Sequence, residues 1–263
     1  MIEMEPMQSE PKPIVVEIAG VTARILCRFP ENRDFFLAYQ TEKAPEITVE
    51  ITPEDVEFSI AHLTRYFGEP SRPYDDVLLE NVSIQNVLSK RLLDYNVLAL
   101  HGSALCMDGE AIIFTAKSGT GKSTHTRLWR EVFGDKVWMI NDDKPMIRLE
   151  NGKALVYGTP WDGKHHLSRN ASAPLRAIVK LERNEENRIE PMNRADAFQL
   201  LMTHGAVTRR GPMRLNGAAK LRALALETAL LDAADFYRLG CTMDPDAARA
   251  AWEGIQKLQG ISR

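Results

Sequence analysis

The stretch AKSGTGKS, residues 116–123, sets a small residue, four more residues and then Gly-Lys-Ser at the spacing of a phosphate-binding loop. Gly119 and Gly121 allow backbone conformations that a side chain would forbid, so successive amides can turn inward on phosphate oxygens. Lys122 is placed to bridge β- and γ-phosphates, and the Ser123 hydroxyl to ligate Mg²⁺. Ser118, Gly119, Thr120, Gly121, Lys122, Ser123 and Thr124 are therefore the candidate nucleotide-binding residues, with Ala116 standing where glycine is usual. Further along, the apolar run VWMI gives way to Asn141, Asp142 and Asp143. Successive strand residues face opposite ways, so one carboxylate can hold the metal while the other takes the proton of an attacking hydroxyl. A solvated turn beside Lys144 is the plain alternative for two adjacent acids.

A second chemistry-rich stretch is YGTPWDGKHHLSRN, residues 157–170. Lys164 and Arg169 could neutralise phosphate or acceptor charge, and Trp161 could cover an acceptor or a base; Asp162, His165 and His166 could also face a ligand. Neighbouring histidines are poor zinc spacing, where helical ligands stand four apart, so no zinc site is expected. The alternative is a surface loop with an anchoring tryptophan. His125 and Arg127, just past the loop, could border the phosphates, whereas Trp129 reads as core. HGAVTRRGPMR, residues 204–214, is a basic link; Arg209, Arg210 and Arg214 could form a lid or meet an acidic partner.

These residues need a scaffold. IVVEIAG and ARILCRF read as a hairpin and PEITVEI as a further strand, giving a β-rich lead-in to about residue 75. Apolar residues at helical spacing predict a helix over 76–93. The centre reads strand, turn, strand, loop, helix, strand, with MDGE as the turn. His101 should end a strand beside the one that feeds the loop. Asn151-Gly152 predicts a hairpin turn, LRAIVKLE a strand, and residues 195–203, 217–234 and 245–258 helices, with DFYRLG a short strand between the last two. Residues 1–75 thus form an N-terminal element packed on a core of 76–263, as one structural unit.

The 263 residues carry a formal net charge of −3, so no bulk basic field suggests nucleic acid or a membrane surface as partner. Cys27, Cys106 and Cys241 are widely spaced and odd in number, which gives neither a disulfide framework nor a zinc pattern. The acidic, proline-containing start lacks the order of a signal peptide, and no run approaches the roughly 18 apolar residues of a span, so a cytoplasmic protein is expected.

LHGSAL, IIFTAKSGTGKST and MINDD, in that order, resemble the catalytic core of the family joining HPr kinase/phosphorylase and ATP-dependent phosphoenolpyruvate carboxykinase. The resemblance covers about residues 97–165. It implies an α/β P-loop kinase fold, a twisted mixed sheet with flanking helices and a β-rich N-terminal element, working with ATP and Mg²⁺. Lys122 and Ser123 match the loop lysine and the metal-binding hydroxyl. Asp143 matches the second acid, general base in the kinase branch and metal ligand in the carboxykinase branch; Asp142 matches the first, a metal or water partner. His101 matches a histidine near the reacting phosphoryl group or metal. The chain lacks the carboxykinase arginine region and the glycine-rich signature that follows the core in HPr kinases, so decarboxylation and an HPr substrate are not expected. The expectation is transfer of the γ-phosphoryl of ATP to a hydroxyl of a peptide, carrier protein or small molecule. A nucleotide-binding regulator or a plain ATPase is the alternative, and homo-oligomerisation rests on the resemblance alone.

Overall fold

The computed structural model describes residues 10–117, 119–205 and 217–261, with the Tyr66 and Ile261 side chains also outside the description. In chain order the elements are β1 (Lys12–Ile18), β2 (Val21–Cys27), α1 (Pro30–Phe35), β3 (Ile47–Val49), α2 (Pro53–Phe67), α3 (Asp76–Leu92), β4 (Val97–Ala99), β5 (Ser103–Met107), β6 (Glu110–Thr115), α4 (Lys122–Phe133), β7 (Val137–Asn141), β8 (Met146–Glu150), β9 (Lys153–Tyr157), β10 (Ser172–Arg183), β11 (Arg188–Pro191), α5 (Arg194–His204), α6 (Gly217–Ala233), β12 (Asp235–Cys241) and α7 (Asp246–Ile261).

The protein is a mixed α/β fold with a curled mixed sheet and flanking helices. β6 lies parallel to β10, and β10 parallel to β12, while β5 runs antiparallel between β6 and β7. Alternation along β5 and β6 sends Ala104, Cys106, Ala111 and Ile113 to one face with α5 and α6 residues. Leu105, Met107, Ile112 and Phe114 go to the other, against Trp129 of α4 and Ala251 of α7. Burial on both faces explains why these strands read as continuous apolar runs. The start of β10 pairs with β9, and β8 and β4 follow. Ile147, Leu149 and Val156 of this arm share a cluster with Ala104 and Ile113, so the sheet curls over its own face. The hairpin turns at Ala19-Gly20, Asp108-Gly109 and Asn151-Gly152 all have positive φ at both residues, the twist that suits two-residue hairpins.

The N-terminal region departs from the β-rich expectation. β1, β2 and β3 do form a small sheet, but α1 and the 15-residue α2 fill much of the rest. Thr52 caps α2: Asp55 N–H donates to Thr52 Oγ1 at 3.3 Å and Thr52 N–H to Asp55 Oδ2 at 2.9 Å, with Pro53 in the first turn. Ser59 and Ser83 hydroxyls meet at 2.8 Å across α2 and α3. Buried Glu80 of α3 accepts from the amides of Arg28 and Phe29 and from Asn32 Nδ2, tying α1 to α3. Val16, Ile25, Ile84 and Leu88 then share one cluster with Met146 and Trp161, so this layer packs directly on the β4–β8 arm and on the second chemistry-rich loop. β11, which the sequence did not suggest, extends the sheet beside β12.

Cys27 and Cys106 are buried and Cys241 is half-buried, all as free thiols. Burial pushes the Cys27 thiol up to about 12. Among the described residues no helix is long and apolar enough to cross a membrane.

Candidate active site

β6 ends at Thr115, the chain turns through the glycine-rich loop, and α4 starts at Lys122. Gly119 has φ of 76° and Gly121 of 118°, the left-handed conformations that glycine supplies without strain. Ala116, by contrast, is absent from the positive-φ positions and is buried in the α4 cluster, which is why a methyl group fits where glycine is usual. Gly121 caps α4 with no side chain, so the first-turn amides have no intrahelical partner and face the loop mouth. Arg183, at the end of β10, donates from Nη2 to Gly119 O at 2.7 Å and from Nε to Thr120 O at 3.4 Å. Because C=O and N–H point opposite ways across a trans peptide, drawing the Thr120 carbonyl to Arg183 turns the Gly121 amide the other way. Ser118 lies outside the described residues.

The acid pair stands at the end of β7, level with the loop, and its members diverge. Asp142 is buried; its Oδ1 accepts from Ser103 Oγ at 2.7 Å and, at 3.4 Å, from Ser123 Oγ. Asp143 turns to His101 and Lys144 instead, with Oδ1 at 3.0 Å from His101 Nδ1 and 3.5 Å from Lys144 Nζ. The divergence is set by Asn141, fully buried, whose Oδ1 accepts from the amides of Asp143 and Lys144 at 2.9 and 2.6 Å. Its Nδ2 donates to Thr159 O and Trp161 O at 3.1 and 3.2 Å, so one side chain shapes the acid turn and fastens the neighbouring loop to it.

His101 does not end a strand beside β6. It lies in a break: β4 pairs with β8, and β5, two residues further on, pairs with β6. A Cβ on Gly102 would stand 2.9 Å from Phe114 O, so only glycine lets the chain pass there. The His101 backbone is fixed on both sides, its N–H donating to His204 O at 2.9 Å and its carbonyl accepting from Thr115 Oγ1 at 3.0 Å. On the ring, Nε2 is 3.2 Å from Lys122 Nζ, while Nδ1 is 3.0 Å from both Asp143 Oδ1 and Lys144 Nζ. A carboxylate only accepts and an ammonium only donates, so a proton on Nδ1 toward Asp143 with the Nε2 lone pair toward Lys122 serves both of those partners, and Lys144 then stands beside Nδ1 as a charge. Burial lowers the His101 pKa, with Lys144 and Lys122 adding to the effect against the opposing pull of Asp143. Burial likewise lowers Lys122, opposed by Asp143. Burial raises the Asp143 carboxyl, but the His101 hydrogen bond and the Lys144 charge outweigh it and hold the group below its ordinary value. The result is a cluster in which Lys122 meets one ring nitrogen of His101, while Asp143 and Lys144 meet each other and the other ring nitrogen.

The second loop is built differently. Trp161 is a core residue: it is 6% exposed, and its ring packs against Phe36 with centroids 5.6 Å apart and donates from Nε1 to Asn81 Oδ1 at 3.0 Å. Asp162 turns inward on the backbone, accepting from the amides of Gly163 and Ser168 at 2.7 and 2.9 Å and from that of Asp142 at 3.3 Å. The Arg169 guanidinium lies over the Trp138 ring at 5.6 Å, its amide donates to Ile140 O on β7 at 3.1 Å, and the residue is exposed. Lys164 and His165 are exposed. His125 adjoins the loop through its amide, which donates to Gly121 O at 2.9 Å, but its side chain is turned to the core: the residue is 3% exposed, the ring accepts from Trp129 Nε1 at 3.0 Å, and burial pushes it down to about 4. Arg127 pairs with Glu131 on the outer face of α4. Arg209, Arg210 and Arg214 lie outside the described residues.

Several contributors escaped the sequence reading. Asn141 carried a signal, since Asn immediately before two acids at a strand end is an Asx-turn pattern. Ser103, Thr159, Arg183 and His204 carried none, because each reaches the site only through strand pairing or helix docking.

No protein-family model and no curated protein matches the chain. Among solved structures, the Hpr(Ser) kinase/phosphatase from Coxiella burnetii is similar at a TM-score of 0.34 and 10% identity, over 61% of this chain and 98% of that one. A likeness of that degree defines neither family nor function.

Proposed function

We propose that the chain is an ATP-dependent phosphotransferase that moves the γ-phosphoryl group to a hydroxyl acceptor. One observation carries the reading: at the mouth of the strand, glycine-rich loop and helix, Ser123 meets Asp142 on one side, and on the other Lys122 meets His101, which meets Asp143. The loop amides and Lys122 bind the phosphates and carry charge that develops on them. Among the described residues no group of three His, Cys, Asp or Glu could hold a metal unaided. The hydroxyl of Ser123 and the carboxylate of Asp142 are hard oxygen donors within 3.4 Å of each other, which suits Mg²⁺ completed by water and substrate phosphates. Bound there, Mg²⁺ would neutralise phosphate charge. Asp143, already engaged by His101 and Lys144, is left for the acceptor proton, and His101 fixes its orientation. Assignment of Asp142 to metal and Asp143 to proton transfer follows from this split. A switch protein that only binds nucleotide has no use for the second acid and its histidine.

The test is incubation with γ-labelled ATP, Mg²⁺ and fractionated cell extract, alongside direct measurement of ATP binding. Label is expected to move into an acceptor fraction as hydrolysis falls. Tight ATP binding with no turnover in any fraction would assign the chain to nucleotide-gated regulators instead.

A further inference from the structure

The arrangement around His101 is more specific than orientation of an acid requires. One ring nitrogen faces the Asp143 carboxylate and the Lys144 ammonium, each at 3.0 Å, and the backbone is fixed by the end of α5 and by Thr115. The other nitrogen presents its lone pair to the lysine that would grip the γ-phosphate, at 3.2 Å. The side chain is 27% exposed and so reachable from solvent. Asp143 is a weaker candidate for bonding to phosphorus, since it already accepts from His101 and lies beside Lys144. A nucleophile whose second atom is held by a third group is the arrangement expected of covalent catalysis.

We infer that His101 Nε2 receives the γ-phosphoryl group and carries it as a phosphohistidine, so that transfer proceeds in two steps; this rests on the kinase reading above. When a triphosphate enters, Lys122 exchanges the imidazole for a phosphate oxygen, and the Nε2 lone pair is released where the γ-phosphorus arrives. That lone pair forms the N–P bond while the bond from phosphorus to the β,γ-bridging oxygen breaks, its electron pair leaving with ADP. The ring gains positive charge, which the Asp143 carboxylate balances through the Nδ1 proton. In the second step the acceptor hydroxyl oxygen attacks phosphorus, the N–P electron pair returns to Nε2, and the hydroxyl proton passes to Asp143.

The experiment uses the full chain with γ-labelled ATP and Mg²⁺, no acceptor, an alkaline quench, and a parallel assay of ADP–ATP isotope exchange. Expected are exchange without acceptor and a protein label stable to alkali and released by mild acid, which alkaline peptide mapping places at His101. His101→Gln should lower exchange by at least about 10²-fold and abolish the label while still binding a fluorescent ATP analogue. The mapping needs no variant, so a misfolded substitution leaves the question decidable. Nucleotide binding with neither exchange nor acid-labile label overturns the covalent step alone and leaves direct transfer. An acid-stable label, a hydroxyl ester, also overturns it. Absence of nucleotide binding overturns this step and the kinase reading together.

Discussion

The glycine-rich loop with its facing acids and the loop over residues 157–170 lie side by side and are both dense in reactive side chains, yet they use them in opposite ways. Around Lys122 the backbone is fixed largely by other backbone and by helpers such as Arg183, Thr115 and Asn141, so Lys122, His101 and Asp143 remain turned to the cleft. In the second loop two of the reactive side chains are themselves fasteners, Trp161 in the N-terminal core and Asp162 on backbone amides, while Lys164, His165, His166 and Arg169 are exposed. Gly163 shows how close the two come, since a Cβ there would stand 2.7 Å from Asp142 Oδ2. A side chain that satisfies buried donors or fills a core is committed, and what remains for chemistry is what the scaffold leaves unsatisfied.

This contrast can be broken most directly at Asp143. Asp143→Asn should keep nucleotide affinity and lose about 10²–10⁴-fold in turnover, measured as label transfer per bound nucleotide; equal turnover would remove its proton-transfer role. Trp161→Ala should do the reverse, costing about 3–5 kcal/mol in urea unfolding with turnover per folded molecule preserved, because it empties a core site. Loss of activity without loss of stability would return Trp161 to the acceptor site.

Acid should weaken the fold through the imidazoles. Burial holds His125 and His204 down to about 4 and lowers His101, so below about pH 6.5 the unfolded chain binds more protons than the folded one. Stability therefore falls as pH drops from about 6.5 toward 4, His125 alone contributing on the order of 2–3 kcal/mol. The depressed Asp143 extends the loss to lower pH, since its contribution is present above its unfolded value and disappears as pH falls through the folded one. A urea midpoint that stays level over this range contradicts the burial of these rings. Asp162→Ala frees three amides, including that of Asp142, and should cost about 1–3 kcal/mol while raising the Mg²⁺ requirement about tenfold. An unchanged Mg²⁺ requirement would uncouple the two loops. Smallest is Arg169→Ala, expected to lose about 0.5–1 kcal/mol and no affinity for nucleotide, by isothermal titration.

Much of the scaffold could be read in advance because its signals are local. Asn151-Gly152 and Asp108-Gly109 mark hairpins by the φ that glycine allows, and Asp76–Leu92 shows its helix in apolar spacing. The capping pattern of Thr52, Pro53 and Asp55 was equally local, and α2 was overlooked only because the surrounding strands suggested continued β structure. Asp142 and Asp143 were recognisable as a pair, but their separation into one acid on Ser123 and one on His101 was not, since it depends on Asn141 and on strands distant in sequence.

By itself, then, the sequence determined the glycine-rich turn at the head of α4, its lysine and serine, the adjacent acids and the hairpins, because backbone conformation at glycine and side-chain periodicity act over a few residues. Tertiary packing alone sets His101 against Lys122, brings Arg183 to the loop carbonyls, buries Trp161 and lays Arg169 over Trp138. Those outcomes turn on which distant polar groups must be satisfied and which surfaces must be buried when β10, α5 and the N-terminal layer pack around the site, and composition fixes no such partner.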